Sequence, residues 1–260
     1  MSGGADSVPA GTAGGDGAMP AVGCEIDHLV VAAHSLAQGV AWCEATLGVS
    51  PGPGGRHAFM GTHNRLLAIG NATFPRVYLE IIAIDPDATP PARPRWFGLD
   101  DPGLQQTLQH APRLLHAVVR TPDIIRLRAG LVALGLDPGQ VLAAERDTPQ
   151  GRLAWRILVR DDGGIACGGA LPTPIEWRGR HPAEGMAPSP VALISAELGG
   201  LPRPVADLLQ LRGATVVPTG PALRVTLISP LGPVSLRTLA TGRAASPGHR
   251  TPPDRDLNTA

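Results

Sequence analysis

Apolar residues fall in short dense runs, and two periodicities alternate along the chain. The stretch "EIDHLVVAA" (25–33) is a nearly continuous apolar run, the pattern of a strand covered on both faces. It is followed by "SLAQGVAWCEATLGV", where Leu36, Val40, Cys43 and Leu47 recur at helical spacing. Ser35 is placed to cap that helix and Gly48 to stop it. Gly-rich turns, the strand-like "RLLAIGN" and a strong strand, "VYLEIIAI", complete the unit.

The order recurs. "RLLHAVVRT" reads as a strand and "DIIRLRAGLVALGL" as a helix, with Ile124, Leu127, Leu131 and Leu134 on one side, Asp123 as cap and Gly135 at the end. "VLAAER", "RLAWRILVR" and "TPIEW" supply three more strands. After the linker "RGRHPAEGMAPSP" comes a third round: "VALISAEL", the helix "PVADLLQLRG", then "ATVVPT", "LRVTLISP" and "GPVSLRT". Such repetition predicts an α+β fold of βαβββ units starting near 25, 113 and 190, with helices on one face of mixed sheets and the other face curled around a cleft. Modules over 25–86 and 113–178 form a paired region, 23–182, and a third unit spans 188–240. The Gly/Ala/Pro-rich ends, 1–22 and 241–260, are expected to be disordered.

Superposing the units gives the polar residues meaning. His28 stands in an apolar strand seven residues before the cap Ser35, and His116 stands seven before the cap Asp123. In the last strands, Glu80 lies between Leu79 and Ile81, and Glu176 between Ile175 and Trp177. The third unit has Leu193 and "VSLRT" at these places and carries neither. A lone buried carboxylate costs several kcal/mol or protonates. A divalent metal held by the two His and two Glu would remove that penalty, and imidazole with carboxylate suits Mn, Fe, Co, Ni or Zn.

Composition narrows the partners. The 22 basic residues, all Arg, balance 22 acidic ones, so nothing points to nucleic acid or an anionic membrane. Absence of Lys with abundant Ala, Gly and Pro reads as GC-rich codon bias. Cys24, Cys43 and Cys167 are sparse and form no CxxC, as expected of reduced thiols in the cytoplasm. There is no apolar run of transmembrane length, and the first residues hold no apolar core, so a signal peptide is not expected.

These residues resemble the vicinal oxygen chelate superfamily and, within it, the glyoxalase-like domain proteins. The likeness is carried by "IDHLVVAAHSLAQGVAWCEATLGV", "GGRHAFMGTHNRLLAIGN" with "VYLEIIA", "GLDPGQVLAAERDTPQGRLAWRILV" and "LPTPIEW". It implies paired βαβββ modules around a metal cleft, with His28, Glu80, His116 and Glu176 as ligands to a divalent metal. It also implies that Thr62 and Asn64 line the substrate pocket. The expected activity is metal-dependent chemistry on a small oxygen-chelating substrate, of lyase, isomerase or dioxygenase type, with Glu176 or Glu80 as general base. The alternative is a binding or resistance protein that uses the same cleft without reaction. Arg146 and Arg156 are further substrate-binding candidates; Arg156, among apolar residues, needs a carboxylate from substrate or from the protein itself. Trp177 is the candidate wall, Asp27 is expected to face away from His28, and His34, His110 and His181 are expected at the surface. The chain is read as a monomer or homodimer acting on a small molecule.

Overall fold

The computed structural model describes residues 21–239. Most of the expected tails lie outside that range, although Val22 already donates its backbone N–H to Leu208.

The first module runs β1 (Glu25–Ala32), α1 (Leu36–Leu47), β2 (Arg56–His57), β3 (Thr62–Ala68) and β4 (Tyr78–Ile84). A linker follows, containing a short 3-10 turn at Trp96–Gly98 and helix α2 (Pro102–His110). The second module is β5 (Arg113–Arg120), α3 (Ile124–Ala133), β6 (Gln140–Thr148), β7 (Gly151–Val159) and β8 (Thr173–Arg178). The predicted caps form: Ser35 accepts from the Gln38 N–H, Asp123 from the Arg126 N–H, and Gly48 closes α1 at φ 71°. α2 was not legible as a helix; its nine residues begin at a proline and bury only Leu108.

The two modules share one eight-stranded sheet in the order β2-β3-β4-β1-β5-β8-β7-β6. Within each module the first and last strands run parallel, and the modules join where β1 meets β5 antiparallel. Leu29, Val31, Leu79, Ile81, Val119 and Leu158 face α1 and α3. Alternate residues, among them Val30, Ile82, Val118, Ile157 and Ile175, face the concave side.

β9 (Ala192–Gly199), α4 (Arg203–Leu209), β10 (Thr215–Val217), β11 (Arg224–Ser229) and β12 (Gly232–Arg237) repeat the element order of a module. The strand order differs: β10-β9-β11-β12, with the first strand between the second and third. This unit packs on the helix side, its Leu193, Leu198, Leu208 and Leu227 joining the core beneath α1 and α3. What covers the concave side is the linker, through Trp96, Phe97, Leu99 and Leu108.

α1 lies close on the sheet because Gly39 has no side chain; a Cβ there would overlap Ile81 Cγ2 and press on Ala33. Gly39→Leu is therefore expected to lower stability by about 1–3 kcal/mol through overpacking, read as a lower urea midpoint with an unchanged slope.

Candidate active site

The concave face holds a small, partly open polar cleft of about 40 Å³. His28, Glu80, Asn64, His57 and Arg146 supply its polar lining, and Tyr78, Trp96, Phe97, Trp155 and Trp177 its aromatic walls.

His28 is fixed by a feature of β1. The β1–β5 register slips between Ile26 and His28, so Asp27 is an extra residue in the strand. The bulge breaks strict alternation, and Asp27, expected to face away, is fully buried with its carboxylate 2.7 Å from His28 Nδ1. It also accepts from Trp177 Nε1 at 3.0 Å and from His181 Nε2 at 2.9 Å. Burial alone would raise the Asp27 pKa, but the hydrogen bonds from His181 and His28 outweigh it and hold the carboxyl well below its ordinary range. His181, expected at the surface, is 3% exposed for the same reason. With Nδ1–H committed to Asp27, His28 presents Nε2 to the cleft, 3.6 Å from Glu80 Oε2. Its ring stacks on Tyr78, centroids 4.6 Å apart.

Glu80 is held from its other oxygen, where Asn64 Nδ2 donates to Oε1 at 2.6 Å. The Asn64 carbonyl accepts from the Gly55 N–H, which orients the amide. Thr62 stands behind the cleft, its hydroxyl 3.1 Å from His57 Nδ1. Burial pushes His57 down to about 4.

The second module does not mirror this arrangement. β1 sets Val30 opposite Glu80 on β4, and β5 sets Val118 opposite Thr173 on β8. Val30 and Val118 each stand two residues after the module's histidine, so Thr173 is the counterpart of Glu80. Glu176 lies three residues farther on and points to the helix side. There it accepts from Arg156, its cross-strand neighbour, and from the Ile124 N–H at the start of α3. This corrects the reading of Glu176 as a ligand and base, and of Arg156 as a substrate contact; they form an internal ion pair. His116 faces the concave side but is fully buried, bonded to Thr173 Oγ1 at 3.0 Å and covered by Phe97. Burial pushes it down to about 3.

The expected four-ligand set therefore does not assemble. Only His28 and Glu80 of the four line the cleft. Among the described residues no group of three or more His, Cys, Asp and Glu is disposed to hold a metal ion. Asp27, His57, His181 and the linker aromatics were missed as site residues. Asp27 needed the bulge and the others needed tertiary contacts that no local spacing encodes. The cysteines are free, and burial raises the thiol pKa of each.

A continuous sheet of two paired βαβββ modules around a polar cleft defines a protein of the vicinal oxygen chelate type. The chain belongs to the glyoxalase-like domain family, whose model matches residues 26–220. No curated protein sequence matches significantly. A solved structure of a hypothetical protein from Staphylococcus aureus is 15% identical with a TM-score of 0.50, covering 82% of this chain and 85% of its own. A Streptomyces coelicolor methylmalonyl-CoA epimerase variant bound to 2-nitronate-propionyl-CoA is 19% identical, TM-score 0.37, over 58% of this chain and 92% of its own. The Mycobacterium tuberculosis methylmalonyl-CoA epimerase is 15% identical, TM-score 0.34, over 58% and 85%. No helix of the described residues is long and apolar enough to cross a membrane.

The buried histidines make stability pH-dependent. His57 and His116 stay neutral in the fold down to about 4 and about 3, whereas an unfolded histidine protonates near 6.5. Below 6.5 the unfolded state binds more protons, so stability falls with pH, by up to about 1.4 kcal/mol per pH unit for each histidine. Asp27 is shifted in the same direction, and its contribution is lost only as pH drops below the ordinary carboxylate range. The melting temperature should decline from pH 6.5 to 4, and His116→Gln should flatten that decline; equal slopes would remove His116 as its source.

Proposed function

We propose that this chain is an enzyme that moves a proton at a carbon of a small molecule held in the cleft, with His28 and Glu80 as the transfer pair. The observation that carries the reading is the buried Asp27 carboxylate, which fixes His28 so that Nε2 faces Glu80 across 3.6 Å. A C–H bond next to a carbonyl breaks, its electron pair passes to the carbonyl oxygen, and the proton goes to the Glu80 carboxylate. His28 Nε2 stands ready to take it in turn, and Asp27 balances the imidazolium so formed. Return of the proton to another face or another carbon gives the isomer. Asn64 keeps Glu80 in place, and the aromatic walls flank the reacting carbon.

Of the four residues expected to hold the family's metal, only His28 and Glu80 line the cleft, and no step is routed through it. Thr62 is buried and supports the site through His57. Trp177 contributes a wall and, through Asp27, the orientation of His28.

The test is deuterium wash-in, followed by proton NMR in heavy water, across diketones, hydroxyketones and thiol conjugates. At least one compound should exchange a carbon-bound proton catalytically. Glu80→Gln and His28→Gln should each slow that exchange by about a hundredfold or more while ligand-induced thermal shifts persist. Binding with no exchange by the wild-type protein would instead favour sequestration, and exchange indifferent to both substitutions would overturn the assignment.

A further inference from the structure

Arg146 is the polar residue of the cleft that the proton-transfer scheme leaves unused. It projects from β6, one edge of the eight-stranded sheet, and lies against Gly55, just before β2 at the other edge. A Cβ on Gly55 would occupy the place of the guanidinium, so the glycine is the cradle in which Arg146 rests. Its neighbour Gly54 is under the same constraint from Asn64. Neither glycine has a positive φ; Gly54 is hemmed in by Asn64 backbone, and a side chain at Gly55 would displace the guanidinium.

Among the described residues the guanidinium has no counter-ion within ion-pair distance. Its Nε and Nη1 are buried without a hydrogen-bond partner, and none of the ion pairs of the described residues includes it. Arg156, one module strand away, is by contrast neutralised by Glu176. The residue as a whole is only partly buried, so a guanidinium held this way without a partner is poised to take one from outside. The fork that arginine presents matches a planar carboxylate through two parallel hydrogen bonds.

We infer that Arg146 in its Gly55 cradle is a recognition site for a carboxylate, and that the substrate class is a small monocarboxylic acid with an apolar or aromatic body. This rests on the reading of the cleft as a small-molecule site. One negative charge is all the cleft accommodates. Arg146 is the single arginine of the lining, the chain contains no lysine, and Glu80 places a carboxyl group in the same space. A dianionic phosphate would lack a second cation and face that group. With the carboxylate on Arg146, the body of the ligand lies between Trp155, Trp177 and Trp96, and its other end reaches His28 and Glu80.

The experiment compares benzoate, phenylacetate, mandelate and phenylpyruvate with the matching amides and with phenyl phosphate. Binding is read by tryptophan fluorescence and thermal shift on the full chain. Carboxylates should bind at least about tenfold tighter than their amides, and phenyl phosphate should gain nothing over the amides. Arg146→Gln should bring the carboxylates to the amide level and leave the amides unchanged. Gly55→Ala, which keeps the charge but fills the cradle, should weaken carboxylates in the same selective way. Without ligand, Arg146→Gln should leave the melting temperature unchanged or slightly raised, since it removes a partly buried charge that has no partner. A fall in that temperature, tighter phosphate than carboxylate binding, or no carboxylate preference in the wild-type protein would each overturn the inference. Glu80→Gln should retain the carboxylate preference, so lost exchange with retained preference sinks the proton-transfer scheme alone.

Discussion

The antiparallel seam between β1 and β5 is the contact on which the rest of the molecule depends. It turns two βαβββ modules into one continuous sheet and gives that sheet a helix side and a concave side. The same seam carries the slip that makes Asp27 an extra residue of β1. An ideal strand would send Asp27 to the helix side, into an apolar core where an unpaired carboxylate is untenable. The bulge brings it to the concave side, where His28, His181 and Trp177 all donate to it. One backbone irregularity thus orients a histidine, pins an aromatic wall and anchors the segment after β8.

The two halves of the concavity have diverged. In the first, His28 and Glu80 remain open to the cleft; in the second, Thr173 replaces the acid, and Phe97 seals His116 into the core. The linker between modules does the sealing with residues that make no regular strand or long helix. A symmetric pair of half-sites becomes one asymmetric site, with a titratable pair at one end and the uncompensated charge of Arg146 at the other. Curling brings that arginine from the far edge of the sheet onto the glycines near the opposite edge.

The fold was largely legible in the chain. Helix caps at Ser35 and Asp123, stops at glycine and apolar strand runs are local signals, and each has a local physical cause. His28 and Glu80 were legible as cleft residues because a polar group amid apolar neighbours needs a reason; Asn64 rested on the family resemblance and Trp177 on its place beside Glu176. Glu176 was misread because its flanking residues resemble those of Glu80, although the face a strand residue takes depends on register. Trp177 and Ile175 take the concave side, so Glu176 cannot.

The amino-acid sequence by itself determined the elements, their repetition and the chemical inventory, since periodicity, capping and composition act over a few residues. Only the tertiary structure decided which inventory meets. Strand register separated Glu176 from His28, a bulge delivered Asp27, a linker closed over His116, and sheet curvature set Arg146 against Gly55. Each of these joins residues far apart along the chain, by pairing and packing that no single segment specifies.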